Sequence, residues 1–142
     1  MIREQRPREM RRHPRRFGSW LTAATERWRK DCLYHLDLLV AAWQWPDGLV
    51  EKFTGLSSTD LEDIRNHWRE APDDLVTLVQ ALNELQWLLW SCRGSRSYAD
   101  WWRAEARFRE PVGTRTPLAA VDDLGPAAIE ALSDHLRTWL FS

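Results

Sequence analysis

The chain has 142 residues and a formal net charge of only −1, because 20 basic residues oppose 21 acidic ones. This length fits one domain, or a small domain with an appended segment, that can bury most of its apolar surface. No apolar run approaches the roughly 18 residues needed to cross a bilayer, and the N-terminus lacks the apolar core of a signal peptide. We therefore expect a cytoplasmic protein that makes no membrane contact.

Recognised catalytic and metal-binding motifs are missing from the sequence. Cys32 and Cys92 are too far apart for a metal motif, and two thiols in a cytosolic chain are expected to stay reduced. The chain has no HxxxH or CxxC motif and no glycine-rich phosphate loop. We therefore expect no catalytic residues, no metal and no cofactor, and the protein is not predicted to be an enzyme.

Positive charge is concentrated at the N-terminus. Residues 1–17 contain seven arginines against two acidic residues, a net charge of +5, which leaves −6 for the rest of the chain. A flexible basic arm of this kind can bind nucleic acid by releasing counterions from phosphates. The alternatives are a solvated tail, or a translated extension upstream of a start at Met10. The arginines are Arg3, Arg6, Arg8, Arg11, Arg12, Arg15 and Arg16.

After the arm, apolar residues recur every three or four positions. From Trp20 this spacing predicts a long helix that ends before Pro46. A short helix is predicted over residues 49–53, with Gly55 as its left-handed cap. The stripe of the long helix consists of Leu21, Ala24, Trp28, Cys32, Leu36, Leu39 and Trp43.

A further helix is predicted from residues 57–59 to about residue 70, with Thr59 and Glu62 at the spacing of a capping box. Together with helix 49–53 it has the layout of a helix-turn-helix. Acidic residues on this second helix would repel phosphate, so a purely structural helix pair is the favoured interpretation. If the pair does bind DNA, Arg65 and Arg69 are the candidate contacts.

The next predicted helix starts at Asp73 and ends at Gly94. Its leucine stripe is joined by Trp87 and Trp90, so large apolar groups surround much of its circumference, which is typical of a helix buried on several sides. The chain contains ten tryptophans, more than single stripes can bury. Because tryptophan is enriched at interfaces, we expect self-association or a partner protein.

The C-terminal part is predicted to hold three helices and a loop. Ser97 is expected to cap a helix through Phe108, Thr116 and Pro117 to open a short helix, and Gly125 to precede the last one. No segment has the alternation of a β-strand. We predict an all-α fold, a compact bundle of about six helices, with a helical region over residues 18–94 and a C-terminal module over residues 95–142.

The C-terminal module resembles the toxin-binding domain of Xre/MbcA/ParS-type antitoxins over about a third of the chain. That domain has a Trp-bearing helix, a proline loop with a glycine turn, a "TPL" helix start, a glycine and a closing helix. Two departures, at residues 104–105 and 113–114, predict a differently shaped loop 103–116. The matching residues are Trp101-Trp102, Pro111, Gly113, Thr116-Pro117-Leu118, Gly125 and Leu132 through Leu140.

The resemblance implies an antitoxin of a type II toxin-antitoxin system that neutralises a RES-type, NAD-consuming toxin. In that family the C-terminal end covers the toxin's NAD pocket, so Phe141 and the carboxylate of Ser142 are the expected blocking group; the alternative is a final turn packed on its own bundle. The alternative function is a DNA-binding transcriptional regulator that binds operator DNA. The candidate toxin-binding residues are Trp101, Trp102, Thr116, Pro117, Trp139, Leu140, Phe141 and Ser142.

Overall fold

The computed structural model of this chain describes residues 26–93 and 97–141. The chain divides into two units, with the boundary between Asp31 and Cys32. In the first unit, residues 26–30 are helical. The predicted basic arm over residues 1–17 lies outside the described residues. The second unit runs across the division predicted between residues 94 and 95, so helices from both sides of that division share one core.

Helices account for most of the second unit. Helix α1 spans Cys32–Trp43, α2 spans Leu49–Thr54, α3 spans Ser58–Arg65, α4 spans Asp73–Arg93 and α5 spans Tyr98–Arg103; after a short hairpin, α6 spans Pro117–Leu124 and α7 spans Pro126–Phe141. The hairpin joins β1, Ala106–Arg107, to β2, Thr114–Arg115, as an antiparallel pair. The predicted all-α fold is confirmed.

Helix α4 is the centre of the core. It packs along α1 and makes its most extensive contact with α7. Cys32 Sγ lies 4.0 Å from the Leu75 carbonyl oxygen, and Trp43 Nε1 donates a hydrogen bond of 2.7 Å to Gln86 Oε1. Both pairs are separated by the same number of residues, so α1 and α4 run parallel. Each leucine buried between these helices contributes about 1.5–3 kcal/mol to folding.

Several predicted helix ends agree with the structure. Gly55 has the left-handed φ of 74° expected of a C-cap, and α4 ends at Arg93, one residue before the predicted end at Gly94. Thr116 accepts a hydrogen bond from the Ala119 amide and Pro117 occupies the first turn of α6. Because proline has no amide hydrogen and a helix-compatible φ, this start is already fixed by the local sequence.

The helix predicted from residues 57–59 to about residue 70 was wrong in its capping box and at its C-terminal end. Ser57, within the predicted start, is the N-cap, and the capping box joins Ser57 to Asp60 instead of Thr59 to Glu62. The helix ends at Arg65 because His67 adopts a left-handed φ of 62°, which stops the helical hydrogen-bond ladder.

The predicted helix from Ser97 to Phe108 was also too long. Ser97 is the N-cap, but α5 ends at Arg103 and Ala104 is extended, with φ −94° and ψ 129°. The following residues form the hairpin, in which the Phe108 amide donates to the Gly113 carbonyl at 3.0 Å. Gly113 has a φ of 70°, a conformation that glycine adopts without a steric penalty.

Candidate protein-binding groove

An open groove of about 420 Å³ lies between the C-terminal half of α4, helix α5, strand β1 and helix α7. Its lining is mainly apolar and aromatic, which is typical of a site that binds an organic ligand or an anchor side chain of a protein. The lining residues are Leu89, Cys92, Trp101, Ala104, Glu105, Ala106, Phe108, His135, Leu136 and Trp139.

The aromatic side of the groove continues an aromatic cluster in the core. The Trp101 ring lies 5.1 Å from the Trp102 ring and 6.3 Å from the Phe108 ring, and Phe108 contacts His135 edge-on at 4.9 Å. Trp102 is fully buried and lies 4.8 Å from Trp43 of α1. The groove-lining rings are therefore packed against buried rings of the core, and such preorganisation lowers the entropy lost when a partner binds.

Arg103 fixes α5, and with it Trp101, to the end of α1. Its guanidinium donates to the Trp43 carbonyl at 3.3 Å and also to the Gln44 carbonyl. These two carbonyls lie at the C-terminus of α1, where the helix dipole favours a cation. Gln44 has a left-handed φ of 53°, so this arginine stabilises the point at which the chain leaves the helix.

Arg115 holds the hairpin that closes the groove. Its Nε donates to the Val112 carbonyl at 2.6 Å, and its Nη1 forms an ion pair of 3.0 Å with Asp123 of α6. A second guanidinium nitrogen donates to the Pro111 carbonyl at 3.3 Å. One side chain thus ties the hairpin turn to α6, which positions Phe108 beside α7.

The last turn of α7 carries two exposed aromatic side chains, one of which lines the groove. Trp139 lines the groove and is 63% exposed, and Phe141 is 72% exposed. Leu140 is partly buried. Ser142 lies outside the described residues. These exposures agree with a surface role for the end of the chain better than with a turn packed into its own core.

The candidate toxin-binding residues fall into two groups. Trp101 and Trp139, which are far apart in sequence, line the same groove. Trp102 and Pro117 are buried in the core, so their side chains cannot touch a partner and can only support the surface. Thr116 acts as the N-cap of α6.

Neither candidate DNA contact in the helix pair has a free guanidinium. Arg65 donates to both carboxylate oxygens of Asp37, at 2.8 and 2.9 Å, and forms a 3.0 Å pair with Glu62. The hydrogen bonds from Arg65 to Asp37 raise the pKa of Arg65 above its usual value. Arg69 forms a 2.8 Å ion pair with Asp60. The Arg65–Asp37 pair ties α3 to α1, and the guanidinium groups of Arg65 and Arg69 would have to leave these carboxylates to bind phosphate instead.

Sequence reasoning missed three polar lining residues, Cys92, Glu105 and His135. They come from three separate elements and share no motif spacing, so only the tertiary fold brings them to one groove. Cys92 Sγ lies 3.8 Å from the Leu136 carbonyl oxygen, and burial raises the pKa of its thiol, which stays protonated at neutral pH. Within the described ranges, no three His, Cys, Asp or Glu residues are placed to hold a metal ion.

Exposed aromatic residues also occur away from the groove. On α4, Trp87 is 54% exposed and Trp90 is 65% exposed, so this helix has one solvent-facing aromatic side instead of burial all round. Trp68, in the turn after α3, is 79% exposed. Three tryptophans of the described residues, Trp43, Trp45 and Trp102, are buried.

Comparison of the chain with protein-family models, with curated proteins and with solved structures gives no match. Among the helices that the structure describes, none combines the length and the apolar character needed to span a bilayer.

Proposed function

We propose that this protein is an interaction protein of the antitoxin type, and that the groove together with the last turn of α7 is the surface on which it binds its partner. The observation that carries this proposal is the exposed Trp139 side chain on the edge of an aromatic groove. A large exposed aromatic residue beside a preformed concave surface is typical of a binding hot spot.

The resemblance supplies the partner class, a RES-type toxin that consumes NAD. In this proposal Trp139 and Leu140 anchor the interface, and Phe141 with Ser142 extends into the toxin's NAD pocket. The 72% exposure of Phe141 supports this arrangement, because a side chain that already faces solvent can enter a partner without unpacking its own fold. Trp102 and Pro117 contribute as buried supports of the surface.

The DNA-binding alternative has less support from the described residues. Arg65 and Arg69 are ion-paired, and α2 and α3 have only 6 and 8 residues. A DNA-binding role therefore depends on the arginines of the predicted arm, Arg3 to Arg16, and on electrostatic attraction that salt would screen.

The test is a calorimetric titration of the full chain with the RES-type protein encoded beside its gene, together with an assay of NAD consumption. We expect a specific complex and loss of NAD consumption. Replacing both Trp139 and Phe141 by alanine should weaken the complex at least about tenfold, because hot-spot side chains contribute about 2 kcal/mol or more. Trp68→Ala is the control, since Trp68 is even more exposed, at 79%, but lies outside the groove.

Two results would overturn this proposal. The first is a genome without a RES-type reading frame beside the gene, combined with no binding to toxins of that class. The second is a complex whose affinity is unchanged when Trp139 and Phe141 are both alanine, since the partner would then bind elsewhere.

A further inference from the structure

The groove combines aromatic rings with a single carboxylate, which is the chemistry of a site for an organic cation. Trp101, Phe108 and Trp139 line it together with Glu105. Aromatic faces attract cations through their negative quadrupole, and a carboxylate supplies the opposite charge. Leu89 and Leu136 add an apolar floor that would contact an aliphatic stem.

Glu105 is available for such an interaction. The residue is exposed, and its carboxylate has no ion-pair or hydrogen-bond partner among the residues that the structure describes. Two nearby guanidinium groups already have carboxylate partners of their own: Arg115 binds Asp123, and Arg137 binds Asp134 and Glu84. Among the described residues that line the groove, Glu105 is the one carboxylate.

The remaining polar lining groups do not compete with a cation. The Cys92 thiol is kept protonated by burial, which raises its pKa, and His135 is held edge-on against Phe108. The carboxylate of Glu105 is therefore the group in the described lining that can pair with a cation. Its volume of about 420 Å³ has room for one long side chain with accompanying water.

We propose that the groove binds one arginine side chain of the partner protein, with the guanidinium paired to Glu105 and stacked against Trp101 and Trp139. Arginine fits better than lysine because its planar, weakly hydrated head both stacks on aromatic rings and pairs with carboxylates. The proposal rests on the proposed function, since it names the chemistry by which that surface selects its partner.

The experiment is an NMR titration of the full chain with N-acetyl-arginine-methylamide, observed at the indole N–H resonances and compared with the citrulline analogue, a neutral isostere. Trp101→Phe and Trp139→Phe identify the two relevant resonances. We expect the arginine probe to shift these two, the citrulline probe to shift them much less, and Glu105→Gln to weaken arginine binding at least about threefold. Glu130→Gln, an exposed carboxylate on α7 outside the groove, is the matched control and should change nothing.

The inference is overturned if the arginine probe causes no shift of these resonances at concentrations up to 50 mM, because its binding free energy would then be weaker than roughly −2 kcal/mol. It is equally overturned if the citrulline probe binds as well as the arginine probe. It is also overturned if Glu105→Gln has no effect. These outcomes are separate from the proposed function. If the toxin binds the original chain and the Glu105→Gln variant with equal affinity, only the arginine site is ruled out. If the chain binds the arginine probe but forms no complex with the toxin, only the antitoxin role is ruled out.

Discussion

Replacing Trp102 and Trp139 separately by alanine distinguishes a core tryptophan from a surface one with the same chemical change. Trp102 is fully buried, so Trp102→Ala should lower the free energy of unfolding by about 3–5 kcal/mol. Trp139 is 63% exposed, so little more than a third of its surface, roughly 90 Å² of a possible 250 Å², is covered. At about 25 cal/mol per Å² this is at most about 2 kcal/mol, and a partly compact unfolded chain reduces it towards about 1 kcal/mol.

The assay is urea unfolding followed by far-ultraviolet circular dichroism, because the substitutions themselves alter tryptophan fluorescence. If the free energy of unfolding has the same slope against urea concentration in both variants, the two free energies can be compared. If Trp102→Ala does not fold, Trp102→Phe gives the smaller change at the same position. A loss of more than about 3 kcal/mol for Trp139→Ala would refute the reasoning, because the last turn of α7 would then belong to the core and not to a binding surface.

Three further predictions concern helix ends and the exposed face of α4. Arg103→Met should lower the free energy of unfolding, measured with urea, by about 1–2 kcal/mol, because two carbonyls at the end of α1 lose a charged hydrogen-bond donor. An unchanged urea midpoint of unfolding would contradict the capping role. Hydrogen bonds from Ser57 lower the pKa of the Asp60 carboxyl in the folded protein. The stability that the ionised carboxylate adds is fully present above its pKa in the unfolded chain, near 3.8, and is lost as the pH falls through the lower pKa of the folded state. Asp60→Ala, which removes the carboxylate itself, should therefore destabilise the protein at neutral pH and much less in strong acid, and a pH-independent difference would rule this out. Replacing Trp87 and Trp90 by serine should leave the fold intact and reduce any self-association seen by light scattering; unchanged association would place the self-contact elsewhere.

Local sequence was enough to predict the helices whose ends carry unambiguous chemistry. Thr116-Pro117 fixes the start of α6, because the threonine oxygen accepts an amide hydrogen bond and proline needs none. The apolar spacing of α1 was equally informative: Cys32, Leu36 and Trp43 all lie in the core. These features depend on neighbours a few residues away, which a single sequence contains.

The groove could not be predicted in this way. Trp101 and Trp139 were both candidates, but nothing in their spacing placed them together, and Glu105 carried no signal at all. The hairpin of residues 106–115 was missed because it depends on Arg115 binding two carbonyls and Asp123, contacts that form only in the folded chain. With strands of two residues, it also has too little alternation to be seen.

The antitoxin and the DNA-binding regulator differ most in the role that each assigns to the N-terminal arginines. Because Arg65 and Arg69 are held by carboxylates, any affinity for DNA should come from the seven arginines of residues 1–17. Deleting residues 1–16 should then leave unfolding of the helical unit unchanged and abolish DNA binding that depends on salt, measured by fluorescence anisotropy with duplex DNA at several salt concentrations. Each arginine that contacts a phosphate contributes about 0.9 to the slope of log K against log salt, so the deletion should lower that slope by several units. The matched control, in which Arg65 and Arg69 are both replaced by alanine, should keep the slope.

If the deletion keeps the DNA affinity and the control removes it, the helix pair and not the arm binds DNA, and the ion pairs to Asp37 and Asp60 must open on binding. If the full chain shows no DNA affinity at low salt, the regulator alternative falls and the partner-binding groove is left as the functional surface.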